Sequence, residues 1–245
     1  MTKLSVNLNK IAWIRNSRGR DYPNVVDYAK KFIDLGVHGI TVHPRPDERH
    51  IKIKDVYDLT ELLSSYSEIE FNVEGYPSDD FMALVKETKP DQCTLVPDAP
   101  GQLTSDHGWQ VTECQDMLIK AQESLEKNGI RSALFLDPDL IQIEASAKLK
   151  FERIELYTEH FADTFQSQNA MEILDKYKKS AGYAESLGLG VNAGHDLDLS
   201  NLGTFLRIGN ILEVSIGHAL TVECLDLGMP AVVKQYLQIC NGHNN

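Results

Sequence analysis

Eight short runs of β-branched and other apolar residues recur along the chain, each bounded by turn-forming residues and separated by longer stretches of helical period. They cover residues 4–8, 39–42, 69–73, 92–96, 131–136, 153–157, 190–193 and 212–216. The stretches between them carry helix signals. After Pro23, Val25, Ala29, Phe32 and Ile33 share one face, and Gly36 sits where a helix ends in a left-handed cap. Ser78 precedes Phe81, Leu84 and Val85 with Pro90 as the stop, and 109–127 is amphipathic up to Gly129. Eight such βα units in 245 residues predict an α/β fold, a (β/α)8 TIM barrel with a few additional helices, rather than an open doubly wound sheet of fewer strands. No linker, charge block or low-complexity tract divides the pattern, so residues 1–245 are expected to form a single barrel domain.

The polar residues that close these runs are more informative than the runs. In order they are Asn7 and Asn9, His43, Glu74, Asp98, Asp137, Glu155 with Thr158, His195, and Gly217 with His218. In a barrel all of these ends meet on one face, where catalytic groups sit. Three imidazoles and several carboxylates suit proton transfer near neutral pH. A carboxylate closing an apolar strand, as Glu74 and Glu155 do, is costly to bury unless it is paired or used. A structural ion pair is an equal reading for each of the two.

The loop after the second run, HPRPDERH, holds His43, Arg45, Arg49 and His50 between two prolines that stiffen it. Guanidinium groups held beside an imidazole point to a phosphorylated small molecule. A second anion site is expected where Gly217 and His218 open the eighth helix, because free N–H groups and the helix dipole meet there. RNSRG at 15–19 is expected to form a loop in the first βα unit that closes over an anion, and Thr104 and Ser105 offer hydroxyls. Gly194 is expected to permit a tight turn before His195, and Asp196 to start or cap the next segment.

Charge and composition narrow the class. Lys and Arg number 24 against 36 Asp and Glu, a formal charge of −12, which disfavours a nucleic-acid or anionic membrane partner. The four cysteines form no C-x-x-C pair, so reduced thiols and a cytoplasmic, soluble protein are expected. No metal-ligand spacing, GxGxxG, Walker A or G-x-S-x-G pattern is present, so neither a metal nor another cofactor is indicated. Two alternatives remain at this level. One is a barrel lyase or aldolase acting on phosphosugars through a Schiff-base Lys10, and the other is a phosphosugar-binding regulator without catalysis.

Several motifs together resemble one family, the pyridoxine 5'-phosphate synthases of vitamin B6 biosynthesis. They are VNLNKIA with RNSRG, GITVHPRPDERHI, FNVEG, ETKPDQCTLVPD, QLTSDHGW, SLGLGVNAGHDL and EVSIGHAL, running from the first strand to the eighth. The resemblance implies a homo-octamer of (β/α)8 barrels. It also implies condensation of 3-amino-2-oxopropyl phosphate with 1-deoxy-D-xylulose 5-phosphate, giving pyridoxine 5'-phosphate, phosphate and water without a cofactor. Carried over by motif, His43 and Glu74 are bases, His195 a general acid and Glu155 a group that stabilises charge in the transition state. Arg45, His50 and Thr104 hold the deoxyxylulose phosphate, whereas Asn7, Arg18, Asp196, Gly217 and His218 hold the amino ketone phosphate. Asn9 and Lys10 stand where many members have Asp-His, and are expected to remain substrate-binding. Asp196 replaces a frequent glycine, so its contact is expected from the backbone.

Overall fold

The computed structural model describes residues 1–98 and 105–242. Eight strands, β1 (Lys3–Asn7), β2 (Gly39–Val42), β3 (Glu70–Gly75), β4 (Gln92–Leu95), β5 (Arg131–Leu136), β6 (Arg153–Tyr157), β7 (Gly190–Gly194) and β8 (Ile211–Ile216), form the sheet. Each pairs in parallel with its sequence neighbour, and β8 returns to β1, closing the barrel. This is the (β/α)8 architecture expected from the run count. Two strands extend past their expected ends. β3 continues through Glu74 and Gly75, and β7 through Gly194, so Glu74 is held by the sheet rather than by a loop.

The first expected helix forms as Val25–Asp34. Asn24 caps it by accepting from the Asp27 N–H, the buried face is Val25, Ala29, Phe32 and Ile33, and Gly36 takes φ +90° beyond its end. Ser78 caps the helix Asp79–Thr88 in the same way. The stretch 109–127 is not one helix. It breaks into a 3₁₀ turn, Val111–Glu113, and the helix Gln115–Lys127. Trp109 is drawn into the core instead, where its indole N–H donates to the Leu95 carbonyl at 2.9 Å.

RNSRG is likewise only partly a loop. Arg15 and Asn16 end the helix Asn9–Asn16, which starts directly after β1. Buried Arg15 donates to both carboxylate oxygens of Asp55, at 2.5 and 2.8 Å, and to the His50 carbonyl at 3.1 Å. Asn16 donates to the carbonyls of Glu48, Arg49 and His50. These two side chains therefore pin the β2 loop rather than close over an anion.

The barrel interior is polar where branched apolar side chains are usual. The Ser5 and Thr41 hydroxyls share a hydrogen bond of 2.7 Å, Thr94 donates to Asn72 at 3.0 Å, and Asn192 reaches across the barrel to Gln92 at 3.3 Å. The apolar core lies outside this lining, between strands and helices, with Leu4, Ile40, Phe32 and Leu59 fully enclosed. No helix among the described residues is long and apolar enough to cross a membrane.

Candidate active site

A cavity of about 420 Å³ opens at the C-terminal end of the strands. Asn7, Asn9, Lys10, His43, Arg45, His50, Glu74, Glu155, His195, Asp196, Gly217 and His218 all line it. Residues from β1, β2, β3, β6, β7 and β8 are thus brought together as the run ends implied. Arg18 is not among them; it is exposed on the turn after the first helix. Thr104 lies outside the described residues.

The β1 tip is a hinge of hydrogen bonds. Asn7 Oδ1 accepts from the Asn9 N–H at 3.0 Å, and Asn9 Oδ1 accepts from the His43 N–H at 2.9 Å. Asn7 also donates to Glu74 Oε2 at 3.4 Å. His43 Nδ1 lies 4.0 Å from the same carboxyl oxygen. Lys10 stands over the Trp13 ring, 4.9 Å from its centroid.

Burial sets the charge states of this group. It pushes His43 well below the ordinary imidazole range, and nearby Arg45 and His50 push in the same direction. Burial and the Glu155 carboxylate hold Glu74 well above its usual range. Glu155, also buried and facing Glu213, is pushed up to about 8. Burial therefore favours an uncharged His43 beside a pair of carboxyls that retains a proton at neutral pH. A neutral imidazole accepts a proton, and a protonated carboxyl donates one.

The β2 loop contributes two nitrogen donors of different character to the cavity. Arg45 is buried and ion-paired with Asp98, which also accepts from Ser105 at 2.7 Å. His50 is pushed down to about 4 by burial and by Arg45. Its Nδ1 accepts from the Ile51 N–H at 2.9 Å, which assigns the ring proton to Nε2. His50 is therefore a neutral donor rather than a cation. Arg49 pairs with Asp47 at 2.6 Å and does not line the cavity.

At the β7 end, Gly194 is not the turning residue. His195 and Asp196 take the left-handed conformation, with φ of +79° and +56°. Gly194 serves a different need, because a Cβ there would collide with the Glu155 carboxyl. Buried Thr158 holds the turn: its hydroxyl donates to the Gly194 carbonyl at 2.7 Å and to the His195 carbonyl. The His195 ring is caged by Phe135 and Tyr157, at centroid distances of 5.7 and 5.2 Å. Asp196 lies 3.6 Å from His195 Nδ1, and its carboxyl is lowered by that neighbour. Asp198, rather than Asp196, organises the next turn by accepting from the Ser200 and Asn201 N–H groups, and the helix Leu202–Phe205 that follows starts without a side-chain cap. Gly217 is the residue before the helix His218–Leu227, whose N-terminus faces the cavity.

Sequence reasoning passed over Ser215, Phe135, Trp13 and Glu159, which also line the cavity. Phe135 and Ser215 lie inside strands, where the only available signal was alternation into a barrel interior.

A protein-family description, Pyridoxal phosphate biosynthesis protein PdxJ, matches residues 4–242. A pyridoxine 5'-phosphate synthase of Christiangramia forsetii is 48% identical over 240 residues, covering 98% of this chain and 99% of that protein. The Flavobacterium johnsoniae protein of the same name is 49% identical over 239 residues, covering 97% and 99%. Among solved structures, 3-hexulose-6-phosphate synthase from Salmonella typhimurium superposes with a TM-score of 0.67 at 12% identity, covering 99% of this chain and all of that one. At that identity the likeness is one of fold alone.

Proposed function

The chain belongs to the pyridoxal phosphate biosynthesis protein PdxJ family, and from that premise we propose how its cavity makes pyridoxine 5'-phosphate. The observation that carries the reading is the juxtaposition of buried His43, the two buried carboxyls of Glu74 and Glu155, and caged His195 in one cavity. Joining an amine to a ketone, losing water and phosphate, and aromatising a ring are successive proton transfers. They need acids and bases on several sides of the substrate.

In this reading 1-deoxy-D-xylulose 5-phosphate and 3-amino-2-oxopropyl phosphate occupy the cavity together, held in register so that orientation supplies much of the rate. Arg45 and the Nε2–H of His50 hold the first phosphate, with Thr104 as a third ligand. The N-terminus of the helix His218–Leu227, with Gly217, His218 and the backbone at Asp196, holds the second. Asn7, Asn9 and Lys10 position the reacting ends. Arg18, which the family motif assigns to the second phosphate, lies outside the lining on the exposed turn after the first helix.

His43 is competent as a base at neutral pH because it is uncharged. Burial favours the protonated form of Glu74, and an ammonium group beside it would favour the carboxylate and so release the residue to act as a base. His195, held rigidly by its cage and by Thr158, is the general acid, and Glu155 stabilises developing charge. Assembly as a homo-octamer and a cytoplasmic location belong to the same proposal, on the ground of family membership.

Purified protein mixed with both substrates should release phosphate and form pyridoxine 5'-phosphate, read by absorbance. A folded protein that shows no turnover with the pair overturns the reading.

A further inference from the structure

We propose that Ser215 is a further substrate-binding residue, which together with Glu155 grips the uncharged ketone oxygen of the amino ketone phosphate; this rests on the function proposed above. Ser215 lies on β8, in register with Gly194 on β7 and Ser5 on β1. It is 7% exposed and lines the cavity. The other interior hydroxyls are spent, since Ser5 pairs with Thr41 and Thr94 donates to Asn72. Ser215 Oγ is buried with no protein partner among the described residues, and so is Glu155 Oε2.

Gly194 brings the two residues to one level of the barrel. With no side chain at residue 194, the Glu155 carboxyl lies over β7, its Cδ 3.3 Å from the point where a Gly194 Cβ would sit, and Ser215 is the residue paired with Gly194 on the neighbouring strand. A buried hydroxyl and a buried carboxyl oxygen without partners are costly, and a ligand oxygen that meets both removes the cost. Its chemistry is constrained. The pocket offers the Ser215 O–H and a protonated carboxyl as donors, which suit a neutral acceptor such as a ketone. A phosphate belongs instead at the helix that starts at His218, three residues further on. A phosphate anchored there carries its ketone one methylene away, within reach of β8. Two donors on that oxygen polarise the carbonyl in the manner of an oxyanion hole.

The test compares ligands that differ only in the ketone. Wild-type protein and Ser215→Ala are titrated calorimetrically with acetonyl phosphate and with n-propyl phosphate. Wild type should prefer the ketone phosphate by about fivefold to tenfold, the worth of one neutral hydrogen bond, and Ser215→Ala should lose most of that preference while binding n-propyl phosphate unchanged. An equal preference in both proteins overturns the proposal. Ser215→Ala should also melt no lower than wild type, since it removes a hydroxyl that no protein group uses. A lowered melting temperature would mean that the hydroxyl serves the fold, and would overturn the proposal as well. Failure of the wild type to turn over the two substrates speaks to the function itself and leaves this comparison standing.

Discussion

The Glu155 carboxyl occupies the space that a side chain at Gly194 would need, so that a Cβ built on the glycine collides with Glu155 Oε1. Gly194→Ala should therefore displace the carboxyl. Overpacking of this kind costs about 1–3 kcal/mol. Misplacing a catalytic group by an ångström costs about 100-fold in rate, which is the expected loss in kcat. Adding Glu155→Ala to Gly194→Ala should recover the melting temperature but not the turnover. Wild-type turnover in Gly194→Ala would show that the carboxyl's position is immaterial.

Thr158 should act on the reaction only through His195. Its hydroxyl ties the Gly194 and His195 carbonyls while His195 sits in a conformation that non-glycine residues rarely adopt. Thr158→Val keeps the shape and removes both bonds. We expect kcat to fall by about tenfold, a fraction of what a full ångström of misplacement costs, with KM for both substrates held within twofold. Thr158→Ser should restore the rate. A KM effect equal to the kcat effect would instead place Thr158 in substrate binding.

Much of the site was legible because strand ends in a barrel converge whatever their separation in sequence. That geometry puts His43, Glu74, Glu155 and His195 on one rim, as it does Asp98 and Asp137, and the family motif is what singles out the four. The arginines were harder to read. Arg15 and Arg18 look alike in RNSRG, yet one is buried against Asp55 and the other is exposed, a difference set by a partner forty residues away. The charge of His50 was also hidden, because its neutrality comes from burial and a backbone N–H on its ring. Gly194 could be read only as a turn residue until the carboxyl from the neighbouring strand was seen to need its space.

Stability should fall as pH rises above neutrality. The folded Glu155 carboxyl titrates near 8 against 4.5 for an ordinary one, so between these values the native state holds a proton that the unfolded state has lost. Glu74 acts in the same direction. Buried His50 does the reverse: its pKa is about 4 when folded and 6.5 when unfolded, so its contribution to stability rises with pH across that window. Below 6.5 the two effects oppose each other, and from 6.5 to 8 only the carboxyls remain. Chemical denaturation across pH 6.5–8 should lose up to roughly 1 kcal/mol per pH unit for each such proton, and Glu155→Gln should flatten the slope. A flat wild-type profile would mean that the carboxyls are already ionised.

Arg45 and Asp98 form a buried ion pair beside the first proposed phosphate position. Asp98→Asn keeps the shape and removes the compensating charge. Breaking such a pair from one side costs about 3–5 kcal/mol. Inorganic phosphate, supplying a new anion to Arg45, should raise the melting temperature of Asp98→Asn more than that of wild type. Equal or smaller stabilisation of the variant would separate Arg45 from phosphate binding.

His43→Asn separates proton transfer from binding. The His43 backbone N–H is held by Asn9 and the strand end by β2, so the substitution should leave the loop in place. Losing a general base costs about 100-fold to 10,000-fold in kcat. Phosphate affinity should stay unchanged, because Arg45, His50 and the helix start at His218 are intact. The Schiff-base reading through Lys10 makes the opposite forecast: His43→Asn would retain much of its activity, and borohydride with a ketose phosphate would leave a reduced adduct on Lys10. Lys10 lies over the Trp13 ring at the cavity wall, and the adjacent groups suited to proton transfer are the imidazoles and carboxyls. Loss of turnover in His43→Asn, with no borohydride adduct in the wild type, is therefore the combined result that the geometry requires.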